Sequence, residues 1–358
     1  MRQVSTIVFV FSLISALSLS DSLAAEAPSL PAYNADLSQT SVSGLSSGAF
    51  MTVQFHVVYS KLFVGAGVIA GGPYYCSGSY ESNSYVQNAT TTCLTPLTPF
   101  VGPNTDELVK KAKEFARQGL IDDLANLKDD KVYIFTGSAD RVVKPLVVKQ
   151  TYQFYQDVGV PEENTKYIDT VNAGHAILTD DGADAACALT DPPYINDCDF
   201  IQSHDILRHI YGELNPPAVS LSGKILKFAQ SEFIQGFDSD SNRTSMSESA
   251  YAYIPQSCET ERCKVHIAFH GCEQAAAVIG DAYYTTTGYN EIADTNSLIV
   301  LYPQAEPSEA IPYNPKGCWD FWGYSSPDRD KPNFYTHDAP QMLAVVGMLK
   351  RLAQAKRR

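Results

Sequence analysis

A serine between two glycines is the first feature of the sequence that could do chemistry. Ser46 is the centre of a Gly-Leu-Ser-Ser-Gly pentad at 44–48, between a strand-like run at 40–43 and a helix-like run at 49–59. A serine at a sharp strand-to-helix turn is exposed at a helix N-terminus, where backbone N–H groups stabilise negative charge. Glycines on either side avoid steric clashes in the turn. Such pentads also occur by chance in ordinary turns, so a nucleophile is a hypothesis that requires partners elsewhere.

An aspartate and a histidine are the candidate partners, and each follows a predicted strand. Asp140 comes after the β-rich run 131–136, and His175 comes after a second run at 167–171. Strands that alternate with helices predict a mostly parallel α/β sheet, in which functional residues gather at the carboxyl ends of the strands. The chain order Ser, Asp, His is that of the α/β-hydrolase triads. The three residues together predict a nucleophile, an acid that orients the base, and a general base.

Each of these partners also has a simpler interpretation. Asp140 could cap the helix that follows it, and His175 could be an ordinary loop histidine. The neighbouring acids Asp180, Asp181 and Asp184 are interpreted as loop charges or caps and not as rivals of Asp140. Because three residues of the right type occur at equivalent strand ends, the catalytic interpretation is favoured.

The second half of the chain, 215–358, contains further predicted strands at 250–255, 264–269 and 298–303 but no nucleophile pattern of its own. It is therefore predicted to complete the sheet of the first half, 25–214, in a single catalytic domain, 25–358. Helical spacing is also predicted at 106–126, at 142–158 and at 339–356, the last at the C-terminus.

The strand at 264–269 runs into His270-Gly271-Cys272. In standard α/β-hydrolases, a strand with such an ending precedes the nucleophile and donates an N–H group to the oxyanion hole. Here the motif follows the triad, which predicts a circular permutation of the sheet. Permutation is plausible physically because domain termini commonly lie close together at the surface. A strand-to-turn junction held by a disulfide is a compatible interpretation of the same residues.

The N-terminus and the cysteines indicate export. Residues 1–24 combine Arg2, an apolar stretch and small residues before Ala25, which is typical of a signal peptide. The eight cysteines have no zinc-ligand spacing, and an even number in an exported chain favours disulfides. Pairing in chain order is the hypothesis: Cys76–Cys93, Cys187–Cys198, Cys258–Cys263 and Cys272–Cys318. Glycosylation sequons occur at Asn88 and Asn242.

The charge balance narrows the class of partner. A formal net charge of −14 argues against nucleic acids and anionic membranes and is compatible with uncharged substrates. The seven histidines are scattered along the chain and give no metal-ligand pattern. No metal and no cofactor are expected, and the protein is expected to be a monomer.

At this point the chain resembles the polyhydroxybutyrate depolymerase family in its single-domain, circularly permuted form. The resemblance is carried by the residues at 44–51, 135–140, 173–175, 270–272 and 317–320. It implies a permuted α/β-hydrolase fold with a mostly parallel sheet flanked by helices and with disulfide-stapled loops. It also implies Ser46 as nucleophile, His175 as base and Asp140 as its orienter. The N–H groups of Ser47 and Cys272 would form the oxyanion hole, with Cys272 bonded to Cys318.

The resemblance leaves the ester substrate open. A secreted polyester depolymerase acting on short hydroxyalkanoate chains is expected, but feruloyl and acetyl esterases of plant polysaccharide share the framework. An exported binding protein that has lost activity is the third alternative. The aromatic run at 319–324 suggests that Trp319 or Trp322 borders the substrate cleft, although rings of this kind are as often part of a core.

Overall fold

The computed structural model describes residues 27–237 and 243–356. The predicted signal peptide and the sequon at Asn242 lie outside these ranges. In chain order the strands are β1 Thr40–Leu45, β2 Phe63–Ile69, β3 Lys131–Phe135, β4 Thr165–Ile168, β5 Ile177–Thr179, β6 Ala185–Ala186, β7 Ile195–Asp197, β8 Lys224–Ala229, β9 Ser249–Ile254, β10 Lys264–Phe269 and β11 Leu298–Tyr302. The helices are α1 Ser47–Val58, α2 Tyr85–Gln87, α3 Thr105–Arg117, α4 Pro145–Val158, α5 Gln202–Tyr211, α6 Ala276–Ile279, α7 Ala282–Thr286, α8 Tyr289–Asp294 and α9 Pro340–Ala353.

Eight strands form one sheet in the order β4-β3-β2-β1-β10-β11-β9-β8. The six from β4 to β11 are parallel, whereas β9 and β8 are antiparallel to their neighbours. The central strands β2, β10 and β11 are largely apolar and buried, as expected for strands covered on both faces, whereas the edge strands β4 and β8 are partly exposed. The predicted mostly parallel sheet flanked by helices is therefore confirmed.

The two halves of the chain share this sheet, because β1 of the first half pairs directly with β10 of the second. In chain order from β8, the third strand is β10, which pairs with β1; the loop after β10 carries Gly271 and Cys272. This is the strand whose loop supplies an oxyanion donor in α/β-hydrolases. Described residues near the two ends of the chain also lie together, since the N–H of Tyr33 donates to the carbonyl of Leu352 at 3.0 Å. The strand order is thus that of a permuted α/β-hydrolase.

Several local predictions need correction. The helix predicted over 106–126 ends at Arg117, because Gly119 adopts φ 72° and terminates it. Strand β8 and a small three-stranded sheet, β5-β7-β6, were not predicted. These strands are short or partly exposed, so their apolar alternation is weak and pairing with neighbours defines them.

Four disulfides join the cysteines in chain order: Cys76–Cys93, Cys187–Cys198, Cys258–Cys263 and Cys272–Cys318. They are the pairs hypothesised above, and they are typical of an oxidising compartment.

In the described part of the chain, no helix has the length and hydropathy required to cross a membrane. Nor do residues 27–237 and 243–356 hold a cluster of side chains suited to a metal ion.

Asn88, the first residue of one sequon, lies in the loop that the Cys76–Cys93 disulfide closes. Its side chain is buried, and its amide group donates to the carbonyls of Ser77 and Tyr80 at 2.8 and 2.9 Å. The amide oxygen accepts from Asn83. Asn88 therefore organises the disulfide-linked loop, because both amide hydrogens are used in that structural role.

Candidate active site

Ser46 occupies a sharp turn between β1 and α1. Its backbone has φ 58° and ψ −123°, a combination that non-glycine residues rarely adopt. Its N–H donates to the carbonyl of Ile69 at 2.9 Å, so the neighbouring strand β2 holds the turn in place. The turn presents Ser46 to a cleft at the N-terminus of α1. This backbone geometry is what a nucleophile elbow requires, and it is the one that the pentad predicts.

The two glycines of the pentad are required by close backbone approaches. A Cβ at Gly44 would lie 2.4 Å from the carbonyl oxygen of Gly48, and a Cβ at Gly48 would lie 2.4 Å from that of His270. The first contact lets α1 fold back on β1, and the second lets α1 pack against the end of β10. Both distances are far below van der Waals contact, so any side chain would displace the elbow from the oxyanion loop.

We expect Gly48→Ala to destabilise the fold by about 2–3 kcal/mol, because the added methyl group overpacks a rigid backbone contact. Urea unfolding would measure the change. Gly182→Ala is the matched control, since a Cβ there meets nothing within 4 Å. Its free energy of unfolding should change by less than about 0.5 kcal/mol. Equal stability of the two variants would contradict the close contact at Gly48.

A buried aspartate holds His175 at the same end of the sheet. The Nδ1 atom of His175 lies 2.7 Å from Oδ2 of Asp140, and both side chains are nearly inaccessible. The other carboxylate oxygen of Asp140 accepts from the N–H groups of Val142 and Val143 at 2.8 and 3.0 Å. The backbone N–H of His175 donates to the hydroxyl of Thr190. Asp140 is therefore fixed in rotation, and it can hold the imidazole with its proton on Nδ1.

Two backbone N–H groups beside Ser46 are available to a ligand. Ser47 begins α1, and Cys272 follows the end of β10; both line the cleft that Ser46 faces. Within the described residues, neither N–H donates a hydrogen bond to an acceptor. The first N–H groups of a helix lack intrahelical partners, and its dipole favours negative charge there. The Ser47 and Cys272 N–H groups are thus suited to hold an oxyanion.

The cleft has a volume of about 370 Å³ and is mainly apolar. The disulfide between Cys272 and Cys318 forms part of its wall. At its rim, Lys316 and Glu273 pair with each other at 3.1 Å, and Tyr194 donates to the same carboxylate. The apolar lining comprises Leu45, Val86, Ala89, Leu94, Val142, Phe321 and Trp322.

The two tryptophans have different positions, which corrects the expectation for one of them. Trp322 lines the cleft, whereas Trp319 is completely buried and packs edge-on against Phe269 with ring centroids 4.7 Å apart. The backbone N–H of Trp319 donates to the hydroxyl of Ser47 at 3.2 Å. Trp319 therefore supports the elbow from within the core and does not line the cleft.

A second serine–histidine pair lies deeper in the sheet. The hydroxyl of Ser43 is 2.7 Å from Nε2 of His266, and that of Ser41 is 2.6 Å from Nδ1. All of these side chains are buried, and burial lowers the pKa of His266 to about 3. The hydrogen bonds of the pair join β1 to β10. Because none of these residues lines the cleft, the pair has no access to a substrate there.

Sequence reasoning did not identify Gln274, which lines the cleft and accepts a hydrogen bond from the N–H of Gly271 at 2.7 Å. Phe321 and the aliphatic residues from the disulfide-linked loop were missed as well. Only the position of Gln274, two residues after Cys272, could have suggested it. The apolar residues carry no sequence signal, because an apolar side chain in a loop looks the same in a cleft wall and in a core.

Two known proteins are similar to this chain in sequence over most of its length. The chain is 40% identical over 333 residues to the poly(3-hydroxybutyrate) depolymerase of Delftia acidovorans, a match covering 91% of this chain and 62% of that protein. It is 36% identical over 340 residues to the polyhydroxybutyrate depolymerase of Talaromyces funiculosus, covering 91% of this chain and 93% of that protein. The chain thus spans nearly all of the fungal relative but under two thirds of the bacterial one. No family model matches the chain.

Two solved structures have a fold similar to that of this chain. The crystal structure of PHB depolymerase from Penicillium funiculosum superposes with a TM-score of 0.78 at 35% identity, covering 91% of this chain and 98% of that one. A serine-to-alanine variant of PHB depolymerase complexed with an R3HB trimer gives a TM-score of 0.79 at 35% identity and the same coverage. The likeness in sequence covers 93% of the fungal relative, and the likeness in fold covers 98% of each solved chain. The chain therefore belongs to the polyhydroxybutyrate depolymerase family of serine ester hydrolases.

Proposed function

We propose that this protein is an exported esterase that hydrolyses poly(3-hydroxybutyrate)-type polyesters or their oligomers, with Ser46, His175 and Asp140 as its catalytic triad. One observation carries the proposal. The strained serine, the aspartate-held histidine and two unpartnered N–H groups lie at one apolar cleft. Hydrolysis of an ester through a serine acyl-enzyme uses these groups together, and this route requires no cofactor.

The reaction follows from the geometry. The hydroxyl oxygen of Ser46 attacks the ester carbonyl as Nε2 of His175 takes its proton, and Asp140 stabilises the imidazolium through Nδ1. The carbonyl oxygen becomes an oxyanion held by the N–H groups of Ser47 and Cys272, each worth about 3 kcal/mol in comparable sites. His175 then protonates the leaving alcohol. Water, activated by His175, attacks the acyl-enzyme, releases the acid and restores Ser46.

The character of the cleft favours an aliphatic polyester over a carbohydrate ester. A hydroxybutyrate chain presents methyl and methylene groups, which suit the aliphatic and aromatic lining around Trp322. A sugar would bring hydroxyl groups that require hydrogen-bond partners when buried. The charged lining residues, Glu273 and Lys316, already pair with each other. The R3HB trimer in the related complex is a ligand of the same class.

Substrate suspensions separate the two esterase functions. The purified protein should clear a poly(3-hydroxybutyrate) suspension and release titratable acid, and it should release little ferulate or acetate from feruloylated or acetylated xylan. The Ser46→Ala variant serves as the blank in each assay. Release of ferulate or acetate without polyester clearing would reject the proposed substrate and support the carbohydrate esterase.

We further propose that residues 25–358 form one catalytic domain that acts as a monomer after export, outside the cell or in a periplasm. The shared sheet and the four disulfides support this arrangement. Sedimentation of the mature protein would measure its oligomeric state. Sequencing the N-terminus of the exported protein would test cleavage before Ala25.

Trp322→Ala is expected to raise KM for a soluble 3-hydroxybutyrate trimer by about 5- to 20-fold, because apolar contact with the substrate is lost. The kcat should change less, since Trp322 lines the cleft but is none of the groups proposed to attack, to transfer a proton or to hold the oxyanion. Steady-state kinetics would separate the two constants. Tyr152→Ala is the matched control: this half-buried ring packs on Tyr167 and does not line the cleft. An unchanged KM for Trp322→Ala would contradict the assignment.

A further inference from the structure

The oxyanion loop is held by side chains that the triad does not include. His270 is fully buried, with Nδ1 2.7 Å from the carbonyl oxygen of Gly271 and Nε2 3.1 Å from the backbone nitrogen of Ala305. Because the N–H of Ala305 must donate, Nε2 carries the lone pair, and Nδ1–H donates to Gly271. Burial lowers the pKa of His270 to about 4. The ring therefore stays neutral in this tautomer at neutral pH.

This hydrogen bond sets the direction of the Cys272 N–H. The carbonyl of Gly271 and the N–H of Cys272 belong to the same peptide unit. In a trans peptide these two groups point in opposite directions. By holding the carbonyl, His270 turns the Cys272 N–H away from the core side. It is left without an acceptor among the described residues, at the wall of the cleft.

Gln274 holds the adjacent peptide and extends to the histidine loop. Its side chain is buried; Oε1 accepts from the N–H of Gly271 at 2.7 Å, and Nε2 donates to the carbonyls of Pro193 and Tyr194 at 2.8 and 3.2 Å. The same carbonyl of Tyr194 accepts from the N–H of Ile177, two residues after His175. One amide group thus joins the oxyanion loop to the segment that carries the base.

We propose that Gln274 is a positioning residue that aligns the Cys272 N–H with His175 around the reacting ester. The inference rests on the proposed function, since it assigns Gln274 to the oxyanion hole of that reaction. A donor displaced by a fraction of an ångström stabilises the oxyanion less, although substrate binding is little affected. Loss of the bridge should therefore appear in kcat and in the affinity for a tetrahedral adduct.

Gln274→Met preserves the length of the side chain and removes all three hydrogen bonds. We expect kcat on p-nitrophenyl butyrate to fall by about 10- to 100-fold, with KM within about twofold. Binding of phenylboronic acid, whose adduct with Ser46 places an oxygen in the oxyanion hole, should weaken by a similar factor. Both constants would be measured beside the melting temperature.

Gln230→Met is the matched control. Gln230 is also buried; it donates to the carbonyls of Ser247 and Gln304 and accepts from the N–H of Gln304, but it does not line the cleft. We expect a similar loss of melting temperature and a kcat within about twofold of wild type. Gln274→Glu is the second variant: it retains the acceptor for Gly271 but, when ionised, cannot donate to Tyr194, so its kcat should fall too.

Three results would overturn the proposal. These are an unchanged kcat in either Gln274 variant, a change confined to KM, or a kcat loss as large in Gln230→Met as in Gln274→Met. If Gln274→Met does not fold, Gln274→Glu provides the same kinetic comparison. Wild-type turnover and its loss in Ser46→Ala are measured in parallel, so a failure of the proposed function is seen separately.

Discussion

Ser46→Ala is expected to lower kcat for p-nitrophenyl butyrate by about 10⁵- to 10⁶-fold. Ser46 is the proposed nucleophile and lines the cleft together with His175, whereas the other serine–histidine pair, at Ser43 and His266, is buried and does not line it. Alanine removes the nucleophile and leaves the two N–H groups in place. The residual rate then comes from the oxyanion hole and from substrate binding. A fluorophosphonate probe should no longer label the protein.

The elbow itself should survive this change. The backbone of Ser46 has φ 58° in the native structure, and alanine carries a similar strain there, so the free energy of unfolding should change by less than about 1 kcal/mol. Ser43→Ala is the informative control. It leaves His266 without one partner and should destabilise the fold by about 1–3 kcal/mol while kcat stays within about twofold. Full turnover by Ser46→Ala, or its loss in Ser43→Ala alone, would contradict the assignment.

Asp140→Asn is expected to lower kcat by about 10⁴-fold. The cause is the direction of its hydrogen bonds. One carboxylate oxygen of Asp140 accepts from the N–H groups of Val142 and Val143, so the carbonyl of an asparagine must occupy that position. Its NH₂ group then faces Nδ1 of His175, where the carboxylate accepted before. Nδ1 becomes the acceptor, the proton moves to Nε2, and His175 can no longer take the proton of Ser46.

This prediction separates an orienting role for Asp140 from a purely structural role in the loop before α4, where it accepts from Val142 and Val143 but does not cap the helix. The hydrogen bonds from the N–H groups of Val142 and Val143 survive in asparagine, so the melting temperature should fall by only a few degrees. Asp181→Asn is the matched control, because Asp181 also accepts from a nearby backbone N–H, that of Ala183, in an exposed turn. Its kcat should remain within about twofold of wild type. An Asp140→Asn variant with more than about a tenth of the wild-type kcat would reject the orienting role.

The sequence alone identified most of what is local. The strand at 298–302 is a buried run rich in apolar side chains, and the strand at 264–269 is mainly apolar and buried apart from Lys264 at its start and the buried His266. The elbow could be predicted from the sequence because the backbones approach so closely that only glycine fits at positions 44 and 48. The position of His270-Gly271-Cys272 after the triad was sufficient to predict the permutation. In each case the physical requirement falls on a few neighbouring residues.

Other features were decided by neighbours remote in sequence. The edge strand β8 is only partly buried, and its pairing with β9 defines it. The sequon at Asn88 reads as a glycan site, but hydrogen bonds to Ser77 and Tyr80 use its amide. The side of the loop on which each tryptophan lies was also undetermined. Trp319 is in the core and Trp322 is at the cleft, because packing against β10 decides between two similar rings.

The sequence by itself therefore determined which residue types stand at the strand ends, and with them Ser46, Asp140 and His175 as candidates. Only the tertiary structure decided how they are held. The bond from His175 to Asp140 spans 35 residues, and the bridge from Gln274 to Tyr194 spans 80. Contacts over such separations leave no periodic pattern in the chain. They exist because the sheet brings distant loops to one edge, and the cleft that selects a substrate is formed there.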